Sequence, residues 1–207
     1  MPTTLLSTSY LPPIEYFYHI NKSDSILIEQ FETFKKQSYR NRCIIYTEKG
    51  EMSLSIPVNK PNGNHTKTNE IEIAEIDNWQ KNHWKAIQSA YQASPFFLYY
   101  KDDLEIFYTR KYNKLIDFNT KLLITLNELI GIEAEIVFTN DFIKPNNTGT
   151  DLRFKISPKE KPTISTFPHY TQVFSERHGF IKNLSIIDLL FNMGPETLSY
   201  LKDMELE

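Results

Sequence analysis

The order of patterns at the amino end restricts the fold of this chain more than any other feature. Leu5 to Ser9 can form a short strand, and Leu11-Pro12-Pro13 turns the chain with its second proline placed for the first turn of a helix. Ile14, Phe17 and Ile20 then recur at helical spacing, and Ser25 to Phe31 is a second apolar run. Strand, turn, helix, strand is how a parallel α/β unit begins, because two parallel strands need a crossover between them.

The period then changes. Arg42 to Tyr46 is β-branched and aromatic, Glu48-Lys49-Gly50 makes a turn, and Met52, Leu54, Ile56 and Val58 alternate with polar residues, which predicts a hairpin with one buried face. Ile71, Ile73 and Ile76 suggest a third strand of this meander, after a polar loop at 59–69 that is a candidate mobile element. Asp77 with Gln80 fits a capping box, and Trp79, His83, Ile87 and Tyr91 lie along one stripe, so a helix is expected from about 78 to 92. Ser94-Pro95 opens a further helical run through Phe97, Tyr100 and Leu104. Leu115, Phe118, Leu122, Leu126 and Leu129 mark a long helix that Gly131 ends, and Glu135 to Thr139 reads as a short strand. From Asp141 to Pro168 the pattern dissolves into Lys, Pro, Asn and Thr, which predicts a flexible or lid-like stretch with one short strand at Leu152 to Ile156. Ser185 with Asp188 resembles a capping box ahead of Ile186 to Phe191, a run apolar almost all round and so expected in the core, and Gly194-Pro195 stops it. The expected architecture is α/β, with α+β as the other reading. It is a single domain over 1–207, made of a short parallel α/β start, an antiparallel meander and several helices packed on the sheet.

Composition narrows the function classes. At 207 residues the chain suits one domain, and 40% hydrophobic and 14% aromatic residues are enough to build a core. A formal charge of -3 gives no global field toward nucleic acid or an anionic membrane. The single Cys43 rules out an internal disulfide framework. The first twenty residues lack a basic region and a continuous apolar stretch, so neither a secretory signal nor a membrane span is expected, and the expected location is cytoplasmic. The sequons at Asn21, Asn64, Asn146 and Asn183 then read as Asn-rich surface. Six glycines leave little room for a phosphate cradle, and G-x-G-x-x-G, P-loop, H-E-x-x-H and G-x-S-x-G patterns are absent. The histidines His19, His65, His83, His169 and His178 are dispersed, so no protein-bound metal is expected, and the cofactor is left open.

The densest polar cluster is Ser38-Tyr39-Arg40-Asn41-Arg42. Two alternating guanidiniums share a face if the following strand begins early, and such a pair can hold a phosphate or carboxylate; the alternative is that one of them pairs with Glu29 or Glu32. His83, between Trp79 and Ile87, is either a satisfied structural histidine or a general base. Asp188 is either a helix cap with Ser185 or a catalytic carboxylate. His169-Tyr170-Thr171-Gln172, ahead of Phe174, either closes over a ligand or stitches the last segment to the core.

Taken in order, these stretches form a longer pattern. Tyr10-Leu11-Pro12 with Tyr16-Phe17, Ser38-Tyr39-Arg40-Asn41-Arg42, Ile56-Pro57-Val58, Tyr91 with Pro95-Phe96-Phe97, Tyr170-x-Gln172-x-Phe174, and Leu184-Ser185-Ile186-Ile187-Asp188-Leu189-Leu190-Phe191-Asn192-x-Gly194 resemble the successive motifs of the WbqC-like protein family. Ser7, Thr8, Pro13 and Glu15 stand where that family's opening has Gln, Pro, Trp and Gly, and the stretch 141–168 is shorter and more polar than its counterpart. The family is associated with bacterial surface-polysaccharide gene sets. The resemblance implies a cytoplasmic biosynthetic enzyme, transferase-like, acting on a nucleotide-linked sugar or another activated small substrate. The alternative is a non-catalytic binding or scaffold protein that offers Tyr99, Tyr100, Phe107 and Tyr108 to a partner. On the enzyme reading, Tyr10, Arg40, Arg42 and Gln172 would hold a phosphate-bearing or sugar ligand, with the amino terminus of the first helix near its anion. His83, His169 or Asp188 would supply acid–base chemistry. A small molecule is thus the expected partner and a protein partner stays open, while nucleic acid and membrane insertion are not expected.

Overall fold

The strand–turn–helix–strand order is realised as β1 (Thr3–Ser7), α1 (Ile14–Asn21) and β2 (Ser25–Glu29). β2 runs parallel to β1, with Thr3 opposite Ser25 and Ser7 opposite Glu29. The computed structural model describes residues 3–145 and 151–206. The chain continues through β3 (Arg42–Thr47), β4 (Gly50–Ser55), β5 (Val58–Asn59), β6 (Glu72–Ile73), α2 (Trp79–Tyr91), α3 (Phe97–Thr109) and α4 (Leu115–Ile130). It closes with β7 (Glu135–Phe138), β8 (Ile164–Thr166), α5 (Ser175–His178), α6 (Ile186–Met193), α7 (Thr197–Lys202) and β9 (Glu205–Leu206). β7 returns to pair parallel with β2, which completes a three-stranded sheet in the order β1-β2-β7. The fold is α/β.

The helices follow their periodicity. α4 presents Leu115, Phe118, Leu122 and Leu126 to the core, and Gly131, at φ 84, ends it in the left-handed conformation that a side chain would resist. α6 is buried on every side, with Ile186, Ile187, Leu189, Leu190 and Phe191 all at 0% exposure. It stops at Gly194, where the Phe96 ring lies 2.5 Å from the place a Cβ would occupy. Asn192, at its carboxyl end, donates to Asp188 O at 2.7 Å. One continuous apolar cluster joins α1, the parallel sheet, the β3–β4 hairpin and helices α2, α3, α4 and α6. Among the described residues no helix is long and apolar enough to cross a membrane.

The single meander, the two capping boxes and the strand at Leu152 to Ile156 are overturned. The antiparallel part is not one meander: β3 pairs with β4, and β5 pairs separately with β6. Pro57, which has no N–H to donate, separates the two ribbons. Neither capping box forms. Asp77 and Asn78 both adopt positive φ, at 55 and 47, and Gln80 instead donates to Phe107 O at 2.8 Å and Arg110 O at 2.6 Å, satisfying the carboxyl end of α3. The loop 59–69 is laced to residues 30–34 by Phe34 N to Thr66 O and Thr68 N to Glu32 O, each 2.9 Å. Within the stretch 141–168, Leu152, Arg153, Ile156, Ile164 and Phe167 are buried. Residues 152–156 form turns rather than a strand, and a single parallel bridge joins Leu5 to Asp151. Residues 146–150, the centre of the expected flexible stretch and the Asn146 sequon, lie outside the described residues.

Candidate functional site

In an open parallel sheet the carboxyl ends of the strands face the usual ligand crevice. Here β1, β2 and β7 bring Ser7, Glu29 and Thr139 to that end, and two arginines arrive from loops. Glu29, at 0% exposure, accepts from Phe31 N at 2.7 Å, Thr139 Oγ1 at 3.1 Å, Ile143 N at 2.9 Å and Arg153 Nη1 at 3.2 Å. Arg153 also grips Asp151 through Nε at 2.9 Å and Nη2 at 2.7 Å, and donates to Ile143 O at 2.8 Å. Arg40 donates to Glu32 Oε1 through Nε at 2.8 Å and Nη2 at 2.5 Å, and to Ser7 Oγ at 2.7 Å. Ser7 Oγ donates in turn to Arg153 O at 3.0 Å, which joins the two ion-pair groups into one network. Burial pushes the Glu32 carboxyl up, and the Arg40 guanidinium pulls it partly back.

A narrow cleft, with room for about one water molecule, lies over this network, walled by Ser7, Thr8, Ser9, Tyr16, Tyr39, Arg40 and Arg153 among others. Its loops are fixed to one another by Asn119, whose Nδ2 donates to Thr8 Oγ1 at 3.1 Å and to Arg40 O at 2.8 Å. Arg40 Nη1 has no partner among the described residues, so this guanidinium retains donors at the cleft. A wider groove of about 340 Å³, lined by Trp79, Tyr108 and Tyr112, is spanned by the exposed Lys111–Glu75 pair at 2.9 Å and has no buried charge in its walls.

The sequence-derived candidates are dispersed around this network. Arg40 is at its centre and pairs with Glu32, but Arg42 turns away and its Nε donates to Ser55 Oγ at 3.2 Å. The two arginines share no face, because Arg40 precedes β3 whereas Arg42 is its first residue. Tyr10 and His83 meet in the core: Tyr10 OH lies 2.9 Å from His83 Nδ1 and 2.9 Å from Tyr108 OH. Burial lowers His83 to about 4, so its imidazole is neutral at physiological pH. Asp188 and Gln172 meet elsewhere, where Tyr170 OH donates to Asp188 Oδ2 at 2.5 Å and Gln172 Nε2 donates to the same oxygen at 2.9 Å. Gln172 also exchanges bonds with the Ile181 backbone, at 2.8 and 2.9 Å, so this motif stitches the last segment down. His169 is exposed and stacks on Phe180 with ring centroids 4.3 Å apart.

The amino terminus of α1 is closed to an external anion. Ile14 N donates to Leu184 O at 3.0 Å and Glu15 N to Asn183 Oδ1 at 3.0 Å, while the buried Glu15 carboxylate takes Asn183 Nδ2 at 2.8 Å and Thr163 N at 2.9 Å. The chain supplies its own negative charge there. Sequence reasoning named Glu29 and Glu32 only as alternatives for pairing and missed Ser7, Asp151 and Arg153. One signal was available: Asp151 and Arg153 alternate with Leu152 in an otherwise polar stretch. Among the described residues no three His, Cys, Asp or Glu side chains are grouped to hold a metal ion.

A parallel α/β sheet with a polar cleft at its strand ends defines a broad structural class. Within it the chain belongs to the WbqC-like protein family, whose model matches residues 8–166 and 162–200. It is also similar to the "Uncharacterized protein Rv1507c" of Mycobacterium tuberculosis, at 25% identity over 96% of each chain. No solved structure matches it.

Proposed function

We propose that this WbqC-like protein is a cytoplasmic, transferase-like enzyme of surface-polysaccharide synthesis. In this reading it holds an activated small substrate, such as a nucleotide-linked sugar, by its anionic group at the carboxyl end of β1. The observation that carries the reading is Arg40: a guanidinium at 3% exposure, locked by Glu32 and Ser7, that still lines a cleft at the usual ligand position of a parallel sheet. Locking removes side-chain freedom before the ligand arrives, so little ordering is left to oppose binding. The ligand sits at Arg40, with Arg153 and the Ser7-Thr8-Ser9 turn around it, while His83 and Asp188 keep packing roles. The scaffold alternative finds less support. Tyr99 is 74% exposed, but Tyr100, Phe107 and Tyr108 are buried, at 3%, 5% and 7%.

The test is a thermal-shift series with sulfate, inorganic phosphate, pyrophosphate, UDP and UDP-glucose. At least one of these stabilises the wild type, by about 2.7 kcal/mol at a hundred times its dissociation constant. Arg40→Lys keeps a cation beside Glu32 but loses the planar fork, and it abolishes the shift, whereas Arg42→Ala retains it. No shift with any of the five, or a shift that survives Arg40→Lys, overturns the reading.

A further inference from the structure

The buried network beneath the cleft does not balance its own charge. Three carboxylates, Glu29, Glu32 and Asp151, face two guanidiniums, Arg40 and Arg153. Residues 146–150, adjoining in the chain, carry no charged side chain. An anion placed on Arg40 therefore adds to an existing excess of negative charge in a buried site, which is costly unless one carboxyl becomes neutral.

The three carboxyls are not equivalent. Both oxygens of Glu29 accept hydrogen bonds, and both oxygens of Asp151 accept from Arg153. Glu32 Oε1 takes two bonds from Arg40, but its Oε2 is buried with no partner among the described residues. A donor-less carboxyl oxygen is the favoured place for a proton in such a network, and protonation there leaves Oε1 free to keep holding Arg40.

We infer that the cleft binds its anion together with one proton, taken up by Glu32. This rests on the reading of the cleft as an anion site. The groups that face Glu32 are Arg40 and Ser7, with Arg153 behind them and Glu29 and Asp151 beyond it. Burial already lifts the Glu32 carboxyl, and Arg40 is the main group holding it down. A bound anion offsets the Arg40 field and so removes that restraint. Glu32 acts here as a positioning residue: it sets the Arg40 fork and adjusts the charge beneath the ligand without lining the cleft.

Sulfate is the probe, because it does not itself titrate near neutrality. Calorimetry in buffers of different ionisation enthalpy gives uptake of close to one proton per sulfate bound. The wild-type association constant falls about tenfold for each pH unit above the unliganded Glu32 pKa. Glu32→Gln, with its fold checked by circular dichroism, binds sulfate with an affinity independent of pH. Sulfate binding without proton uptake overturns this inference and leaves the anion site standing. The same is true if proton uptake persists in Glu32→Gln. Failure of the wild type to bind sulfate at any pH overturns the inference, and the five-ligand series then decides whether the anion site falls with it.

Discussion

Two buried acidic centres of this protein solve the same problem by opposite means. At the carboxyl ends of the parallel strands, Glu29, Glu32 and Asp151 are kept from water by opposite charge, through Arg40 and Arg153. At α6, Asp188 is just as deeply buried but its donors are neutral, the Tyr170 hydroxyl and the Gln172 amide, with the Tyr91 hydroxyl beside them. Burial lifts both the Glu32 carboxyl, which the Arg40 guanidinium pulls partly back, and Asp188, which has only neutral donors to oppose it and rises from 3.8 to about 6. The geometry diverges in the same way. The ionic network has a cleft above it and a guanidinium with donors to spare, whereas Tyr170 and Gln172, which donate to Asp188, belong to the segment it fastens. The charge pairs at the first centre hold a guanidinium at a cleft, and hydrogen bonds at the second hold one stretch of chain to one helix.

The largest effect that would break this contrast is at Arg153. Arg153→Met leaves Glu29 and Asp151 buried without their cation, and the expected loss is about 3–5 kcal/mol in urea unfolding. A loss below about 1 kcal/mol would mean that opposite charge is not what keeps these carboxylates buried.

At Asp188 the contrast appears as a pH dependence. The folded-state pKa, about 6, lies above the ordinary 3.8, so the contribution of this group is fully present below the unfolded value. It is lost as pH rises through about 6, and the full difference corresponds to about 3 kcal/mol. Urea midpoints measured across that window should fall for the wild type and lose this component in Asp188→Asn. At neutral pH the amide still accepts from Tyr170, so Asp188→Asn costs less than Arg153→Met. An unchanged slope in the variant would place the titration elsewhere.

The two centres also show where sequence reading succeeds. α2, α4 and α6 were legible because their apolar faces repeat at helical spacing and Gly131 and Gly194 end two of them, and those are local properties. The parallel start was legible for the same reason. The polar partnerships were not, because each joins residues distant in sequence. Gln80 looked like a cap for its own helix and instead serves the end of α3; Asp188 looked like a cap for α6 and instead receives Tyr170 and Gln172. Arg153 sits 124 positions from Glu29, in a stretch whose composition resembles disorder, yet it is the largest fully buried side chain of the described residues. Periodicity reveals which face is inside, but a single buried cation in a polar stretch has no period to reveal it.

The smallest expected effect sharpens the comparison by changing burial while keeping the chemistry. Arg177 Nη1 lies 2.5 Å from Glu48 Oε1, a contact as short as that between Arg40 and Glu32, but the side chains are 60% and 67% exposed. Water screens such a pair, and ordering two long side chains offsets much of what remains. The turn around it is held independently, since Tyr46 OH donates to Phe174 O at 3.0 Å and Gly179 O at 2.8 Å, and His178 Nε2 lies 2.8 Å from Glu48 O. Arg177→Ala should therefore change stability by no more than about 0.5 kcal/mol, and a double-mutant cycle with Glu48→Ala should give a coupling that fades in high salt. A coupling above about 2 kcal/mol would show that distance rather than burial sets the strength of the charge pairs in this protein, and the contrast between its two acidic centres would lose its physical basis.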